Sequence, residues 1–240
     1  MFENYKVVIV EHDFYARNAI NSYLAWDRRT RVTKLVPSLD SLANYLNKTI
    51  NAEKPDTILL DSALLATPEQ TTVAIKRIHQ LSPHSNVVVM AHVVHPEIAV
   101  AAHKAGARGY VDRADVGLQI SWMIVWQAEH EFITTPKTAH LFDDAAVLPD
   151  GRAYPELTDR VRQALMLCVV EGMTADLAAD EMGLSPHTIR TYIKEGYSIL
   201  EAYDDKEYPA ELSPQEKAFM RFTALAVEDL DKKVDLSEDD

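Results

Sequence analysis

Along the first half of the chain, short runs of β-branched and other apolar residues alternate with amphipathic stretches. Lys6–Val10, Arg31–Val36, Thr57–Leu60, Asn86–Met90 and Arg108–Val111 read as strands, the middle ones almost continuously apolar. Between and after them, residues 14–25, 39–46, 69–81, 96–105 and 116–129 carry apolar positions at helical spacing, with Gly106 placed to end the fourth helix. Five repeats of strand then helix predict a parallel five-stranded sheet covered on both faces, an α/β fold. From 132 to 155 the pattern lapses around Pro136, Pro149, Gly151 and Pro155, which predicts a linker with a short helix over Lys137–Phe142. Beyond Tyr154 the strand-like runs cease. Helices are expected over 158–171, 174–182 and 186–201, punctuated by Gly172 and Gly183. A further helix over 213–229 opens on Ser213, Pro214 and Glu216, a capping pattern. The chain therefore divides into an α/β domain (1–131), a linker (132–155), an all-α domain (156–203) and an extension (204–240).

Composition narrows the picture. With 240 residues the chain can bury a core without staples, and its one cysteine, Cys168, excludes an internal disulfide. No basic segment followed by a long apolar stretch opens the chain, so a cytoplasmic protein with no membrane partner is expected. The net charge is −13, and residues 203–240 alone carry 5 basic and 12 acidic side chains. Such a balance argues against unspecific binding to nucleic acid, which depends on neutralising phosphates, but leaves room for a small base-reading surface. Seven glycines, no phosphate-cradling loop and no nucleophile–base constellation argue against an enzyme.

In an open parallel sheet, functional residues gather beyond the carboxyl ends of the strands. Here those ends read Glu11-His12-Asp13, Asp61, Ala91-His92 and Asp112-Arg113, side by side if the strand order is 2-1-3-4-5. Glu11, Asp13 and Asp61 near Arg113 suit either a divalent-cation or phosphoryl site or a structural ion-pair cluster. His79, His84, His92, His95 and His103 lack the spacing of a zinc enzyme.

Val-Val-Ile-Val-Glu-His-Asp (7–13), Pro-Asp-Thr-Ile-Leu-Leu-Asp (55–61) and Ala-Gly-Ala-Arg-Gly-Tyr-Val-Asp-Arg (105–113) together resemble the receiver domain of two-component response regulators. That resemblance implies a flavodoxin-like fold, Asp61 at the phosphoacceptor position and Tyr110 at the aromatic switch. It also implies a pocket formed by Glu11, His12, Asp13, Ala91 and Arg113. Four positions depart from the pattern: His12 stands for a second acid, Ala91 for a Thr or Ser, Arg113 for a Lys, and Leu65 for a Pro four residues after the phosphoacceptor. The first weakens a Mg²⁺ site built from Glu11, Asp13 and Asp61, the second removes a hydroxyl donor, and the third replaces an ammonium by a planar fork. Mg²⁺ is expected only if the domain is phosphorylated, and control through dimer state, a ligand or a partner is expected instead.

In the helical half, Ala178, Met182, Ile189 and Ile193 make an apolar stripe that would pack two helices together, with Ser185 capping the second. Its outer face then carries His187, Arg190, Thr191 and Lys194. Leu157-Thr-Asp-Arg160 and Ser185-Pro-His-Thr-Ile-Arg-Thr-Tyr192 resemble the LuxR-type helix-turn-helix of NarL/FixJ response regulators. The resemblance implies a transcriptional regulator that reads promoter DNA as a homodimer, with a histidine kinase or another protein as partner. Arg190, Thr191 and Lys194 fall on base-reading positions, and Ser185 and Thr188 would hold phosphate at the helix start. The acidic residues Asp176, Asp180 and Glu181 keep a second reading open: a protein–protein interaction module that no longer reads DNA.

Overall fold

The structure, a computed structural model, describes residues 4–204 and 208–226. It comprises two compact units, residues 1–148 and 149–240. The first is a flavodoxin-like α/β fold and the second is helical.

In the first unit β1 (Tyr5–Val10), β2 (Thr30–Val36), β3 (Thr57–Asp61), β4 (Asn86–Ala91) and β5 (Gly109–Asp112) alternate with helices. These are α1 (Phe14–Ala25), α2 (Leu39–Lys48), α3 (Pro68–Leu81) and α4 (Pro96–Lys104). All strand pairs are parallel, and the order β2-β1-β3-β4-β5 is the expected one. β3, β4 from Val87 on, and β5 are buried along their length, which explains their unbroken apolar runs. On one face Val8, Val10, Ile58, Leu60, Val87 and Val89 pack against Leu42, Leu46, Ile75, Ile78 and Ile98 from the covering helices. The register sets Val10 beside Leu60, Asp61 beside Met90 and Ala91 beside Asp112, so the strand ends converge on one rim.

Two expectations need correction. The sheet has seven strands, because the segment read as a linker contributes β6 (Ile133–Thr134) and β7 (Ala146–Val147), both parallel to their neighbours. Within that segment the short helix expected over Lys137–Phe142 is present as a single 3-10 turn, Ala139–Leu141. Two-residue strands are too short for a periodic signal, and their anchoring is by burial and hydroxyl groups. Thr134, Thr135 and Thr138 are fully buried; the Thr134 hydroxyl reaches Tyr110 O at 3.1 Å and Thr138 Oγ1 at 2.8 Å. Gly109 admits Ile133 against β5, since a Cβ there would lie 2.7 Å from Ile133 Cγ1. Phe132, Phe142 and His103 pack their rings together over the same region. Second, the helix expected over 116–129 is broken. A single turn, α5 (Arg113–Val116), ends at Gly117 with φ 47°, and α6 (Ile120–Ala128) starts afterwards. The guanidinium of Arg29, paired with the buried Asp27, lies 3.7 Å over the Trp122 ring and so fixes α6 beside the start of β2.

The second unit begins with α7 (Asp159–Leu165), which widens into a π-helical turn over Met166–Val170, followed by α8 (Ala175–Met182) and α9 (Pro186–Ala202). Ala164, Leu167, Cys168, Ala178, Ala179, Met182 and Ile189 form its core, with Ile193 packed against it, as the apolar stripe predicts. α10 (Pro214–Phe222) opens on a complete capping box between Ser213 and Glu216 but stops short of the expected 229. The chain leaves the helix because Ala224–Ala226 pair with the 150–152 segment: Arg152 N donates to Ala224 O and Ala226 N to Asp150 O, each at 2.7 Å. Phe219 and Met220 are buried, Ala226 is exposed, and the acidic end of the extension lies outside the described residues. Among the described residues, no helix is long and apolar enough to cross a membrane.

Gly196 in α9 is buried against Leu165, where a Cβ would meet Leu165 Cδ1 at 2.8 Å and Cγ at 2.9 Å. Overpacking costs about 1–3 kcal/mol, against a gain of about 1 kcal/mol in helix propensity. Gly196→Ala is therefore expected to destabilise the second unit by up to about 2 kcal/mol in urea unfolding. In a Leu165→Ala background the same change should be neutral or stabilising.

Candidate functional site

Two constellations stand out, one in each unit. In the first, Glu11 and Asp61 end neighbouring strands with 1% and 3% of their surface exposed. Burying two carboxylates side by side requires compensating charge. Arg113, at the start of α5, supplies it. Its Nη2 lies 2.9 Å from Asp61 Oδ1 and also donates to Glu11 Oε2. On the other side His12 Nδ1 lies 2.7 Å from Asp61 Oδ2 and 3.2 Å from Glu11 Oε1. The hydrogen bond to Asp61 is the main reason the His12 imidazole is held above its ordinary value of 6.5, and the charges of Asp61, Glu11 and Asp13 add to it.

Asp13 does not join this cluster. Its carboxylate caps α1, accepting from Ala16 N at 2.7 Å, while its own amide donates to Glu11 Oε1 at 2.9 Å. The group able to offer ligands to an ion is thus Glu11, His12 and Asp61, not Glu11, Asp13 and Asp61. That set does not fit Mg²⁺, which favours oxygen ligands in near-octahedral geometry, because an imidazole takes the second acid's place and a guanidinium engages one oxygen of each carboxylate. Ala91 is fully buried at the end of β4 and offers no hydroxyl. Tyr110 is buried too, its hydroxyl accepting from His95 N at 3.3 Å, and desolvation raises its pKa. His92 is exposed.

Three further residues complete the rim. Arg17 Nη1 donates to the Glu11 carbonyl, Lys137 Nζ lies 2.7 Å from Asp112 Oδ2, and the Thr135 hydroxyl accepts from Asp112 N at 3.0 Å. The pairing with Asp112 raises the Lys137 pKa. Lys137 and Thr135 escape a sequence reading because they sit in the segment taken for a linker. The Asp112-Arg-Ala-Asp115 run does signal a capped helix start: Asp112 Oδ1 accepts from Ala114 N at 2.9 Å.

In the second unit α8 ends on Gly183 in a left-handed conformation with φ 65°, and Ser185 then caps α9, accepting from Thr188 N at 3.1 Å. Pro186 occupies the first turn of α9. The buried Ile189 points that helix's inner face at α8 and leaves His187, Arg190, Thr191 and Lys194 exposed on a common outer face. The Ser185 and Thr188 hydroxyls lie 2.8 Å apart at the helix start. The Thr191 hydroxyl donates to the His187 carbonyl at 3.1 Å. Arg190 approaches Asp176 of α8 at 3.8 Å, with both side chains mostly exposed, so the pair adds little stability and leaves the guanidinium accessible.

Residues 152–200 match the family model of sigma-70, region 4. That stretch takes in α7, α8 and most of α9. No curated protein matches the chain. Among solved structures it is similar to the RcsB response regulator of Salmonella typhimurium, at 18% identity and TM-score 0.48, over 85% of this chain and 95% of that one. RcsB of Salmonella enterica serovar Typhimurium bound to promoter rprA is similar at 15% identity and TM-score 0.47, over 93% and 100%. A LuxR-family two-component response regulator from Aurantimonas gives 16% identity and TM-score 0.48 over 57% and 94%.

The raised pKa of His12 has a pH consequence. A group whose folded value exceeds its unfolded one contributes stability below the unfolded value, here near 6.5, and loses it as pH rises through the folded value. The unfolding midpoint of wild type relative to His12→Gln is therefore expected to be highest below pH 6.5 and to converge at alkaline pH.

Proposed function

We propose that this chain is a DNA-binding transcriptional regulator of the response-regulator type, acting as a homodimer on promoter sites. The observation that carries the reading is the outer face of α9. One helix turn past a glycine-ended α8, it presents Arg190, Thr191 and Lys194 to solvent behind a start capped by Ser185. A helix held this way can enter the major groove with Arg190 or Lys194 on guanine edges, while Ser185 and Thr188 at the helix start meet phosphate. Two copies would place two such helices about one DNA turn apart. The sigma-70 region 4 match over 152–200 supports the same assignment of α8 and α9.

Control in this reading does not run through aspartyl phosphate. Arg113 and His12 already engage both oxygens of Asp61, and Ala91 supplies no hydroxyl at the neighbouring strand end. Dimer state, a ligand or a partner protein sets activity instead. Incubation with acetyl phosphate and Mg²⁺ is expected to leave the intact mass unchanged; a phosphoryl adduct abolished by Asp61→Asn would reverse that part of the proposal.

For DNA binding, purified protein is used to select from genomic fragments, and the best fragment is titrated with salt. Affinity should fall as salt rises. Arg190→Ala and Lys194→Ala should each weaken specific binding by about 1–3 kcal/mol, roughly 5- to 150-fold, without loss of fold. Failure to select any fragment would favour a protein–protein interaction module, to which the exposed acids Asp176, Asp180 and Glu181 on α8 are suited.

A further inference from the structure

Glu11, His12 and Asp61 bring one donor atom each within 4.8 Å of one another, and the fold commits their remaining oxygens elsewhere. Glu11 Oε2 and Asp61 Oδ1 face Arg113. Glu11 Oε1 and Asp61 Oδ2 turn the other way, 3.2 and 2.7 Å from His12 Nδ1. Those separations are close to the spacing of neighbouring ligands around one ion held at about 2.0–2.2 Å.

We infer that Glu11 Oε1, His12 Nδ1 and Asp61 Oδ2 form a binding site for a divalent ion of the imidazole-accepting class, Zn²⁺, Co²⁺ or Ni²⁺, and not for Mg²⁺. The imidazole decides the class: a nitrogen ligand suits these ions, whereas Mg²⁺ gains little from it. The ion takes the place of the proton shared by His12 and Asp61. Two of the three ligands are preorganised. The Asp13 amide orients Glu11 Oε1, the Ala63 amide donates to Asp61 Oδ1 at 3.0 Å, and Arg113 ties the two carboxylates together from behind. With a neutral imidazole, two carboxylates and one guanidinium leave a single negative charge to attract the ion. His12 is the mobile ligand: its side chain is 60% exposed, so the site opens to solvent, and water completes the coordination. The inference does not rest on DNA binding, and its failure leaves the proposed function intact.

The test uses the full-length chain, stripped with a chelator and titrated with CoCl₂ while visible d–d absorption is recorded, with Zn²⁺ and Mg²⁺ as competitors. The expected result is one saturable Co²⁺ site per chain, displaced by Zn²⁺ but not by a large excess of Mg²⁺. His12→Gln and Asp61→Asn should each weaken it at least about tenfold, since outer-shell changes alone cost about 10–100-fold. His12→Gln alters an exposed side chain, and circular dichroism checks that it folds. Unchanged Co²⁺ affinity in His12→Gln would assign the signal to other histidines and overturn the inference. Absence of a saturable site, or ready displacement by Mg²⁺, would do the same.

Discussion

Two nearly buried carboxylates at the ends of adjacent parallel strands are the constraint around which the first unit is organised. Parallel pairing of β1 with β3 places Glu11 beside Asp61, and no rearrangement short of a register shift separates them. The molecule meets the electrostatic demand with its own side chains, Arg113 from beyond β5 and His12 from the next position in the chain. Arg113 reaches the pair because β5 ends level with β4 and α5 starts at once, capped by Asp112. Asp112 is in turn buried and paired with Lys137, so the rim is a chain of alternating charges that runs from β1 to the segment after α6. A pocket so neutralised has little pull left for a hard cation.

The second unit rests on a different kind of constraint, the angle between two helices. Gly183 and the Ser185 cap fix where α9 starts, and the burial of Ile189 and Gly196 fixes its rotation. The π-helical turn at Met166–Val170 leaves the Cys168 carbonyl free to accept from Gln215 Nε2 at 2.9 Å, tying α10 to the body of the unit. Tyr154, buried with its pKa pushed up to about 12, donates its hydroxyl to the Arg221 carbonyl and closes the other end of α10.

Much of this was legible from residue order because it follows from periodicity. Continuous apolar runs marked β1, β3 and β4, the i, i+4 stripe of Ala178 and Met182 marked the packed face of α8, and each strand end named its rim residue. What escaped depends on direction and on partners distant in sequence. Whether His12 or Asp13 turns toward Asp61 is settled by the start of α1, which claims the Asp13 carboxylate as its cap. β6 and β7 exist because Gly109 leaves room for Ile133 and three threonine hydroxyls satisfy one another, and neither cause leaves a local pattern. The end of α10 at Phe222 is set by pairing with residues some seventy positions earlier, beyond the reach of any window.

The two added strands also change how this sheet can meet other chains. A sheet of five strands would end on β5, four residues long, with its backbone groups open to a neighbour. Here that edge is sealed and the new margin, β7, is only two residues long, with Val147 partly exposed. Among the described residues, only β2, seven residues long, keeps an edge of useful length. Fibril growth by strand addition needs two competent edges on every copy, one to receive and one to offer. With a single long edge the sheet can join one partner and then terminates, so the geometry that completes the α/β unit also caps its capacity to polymerise.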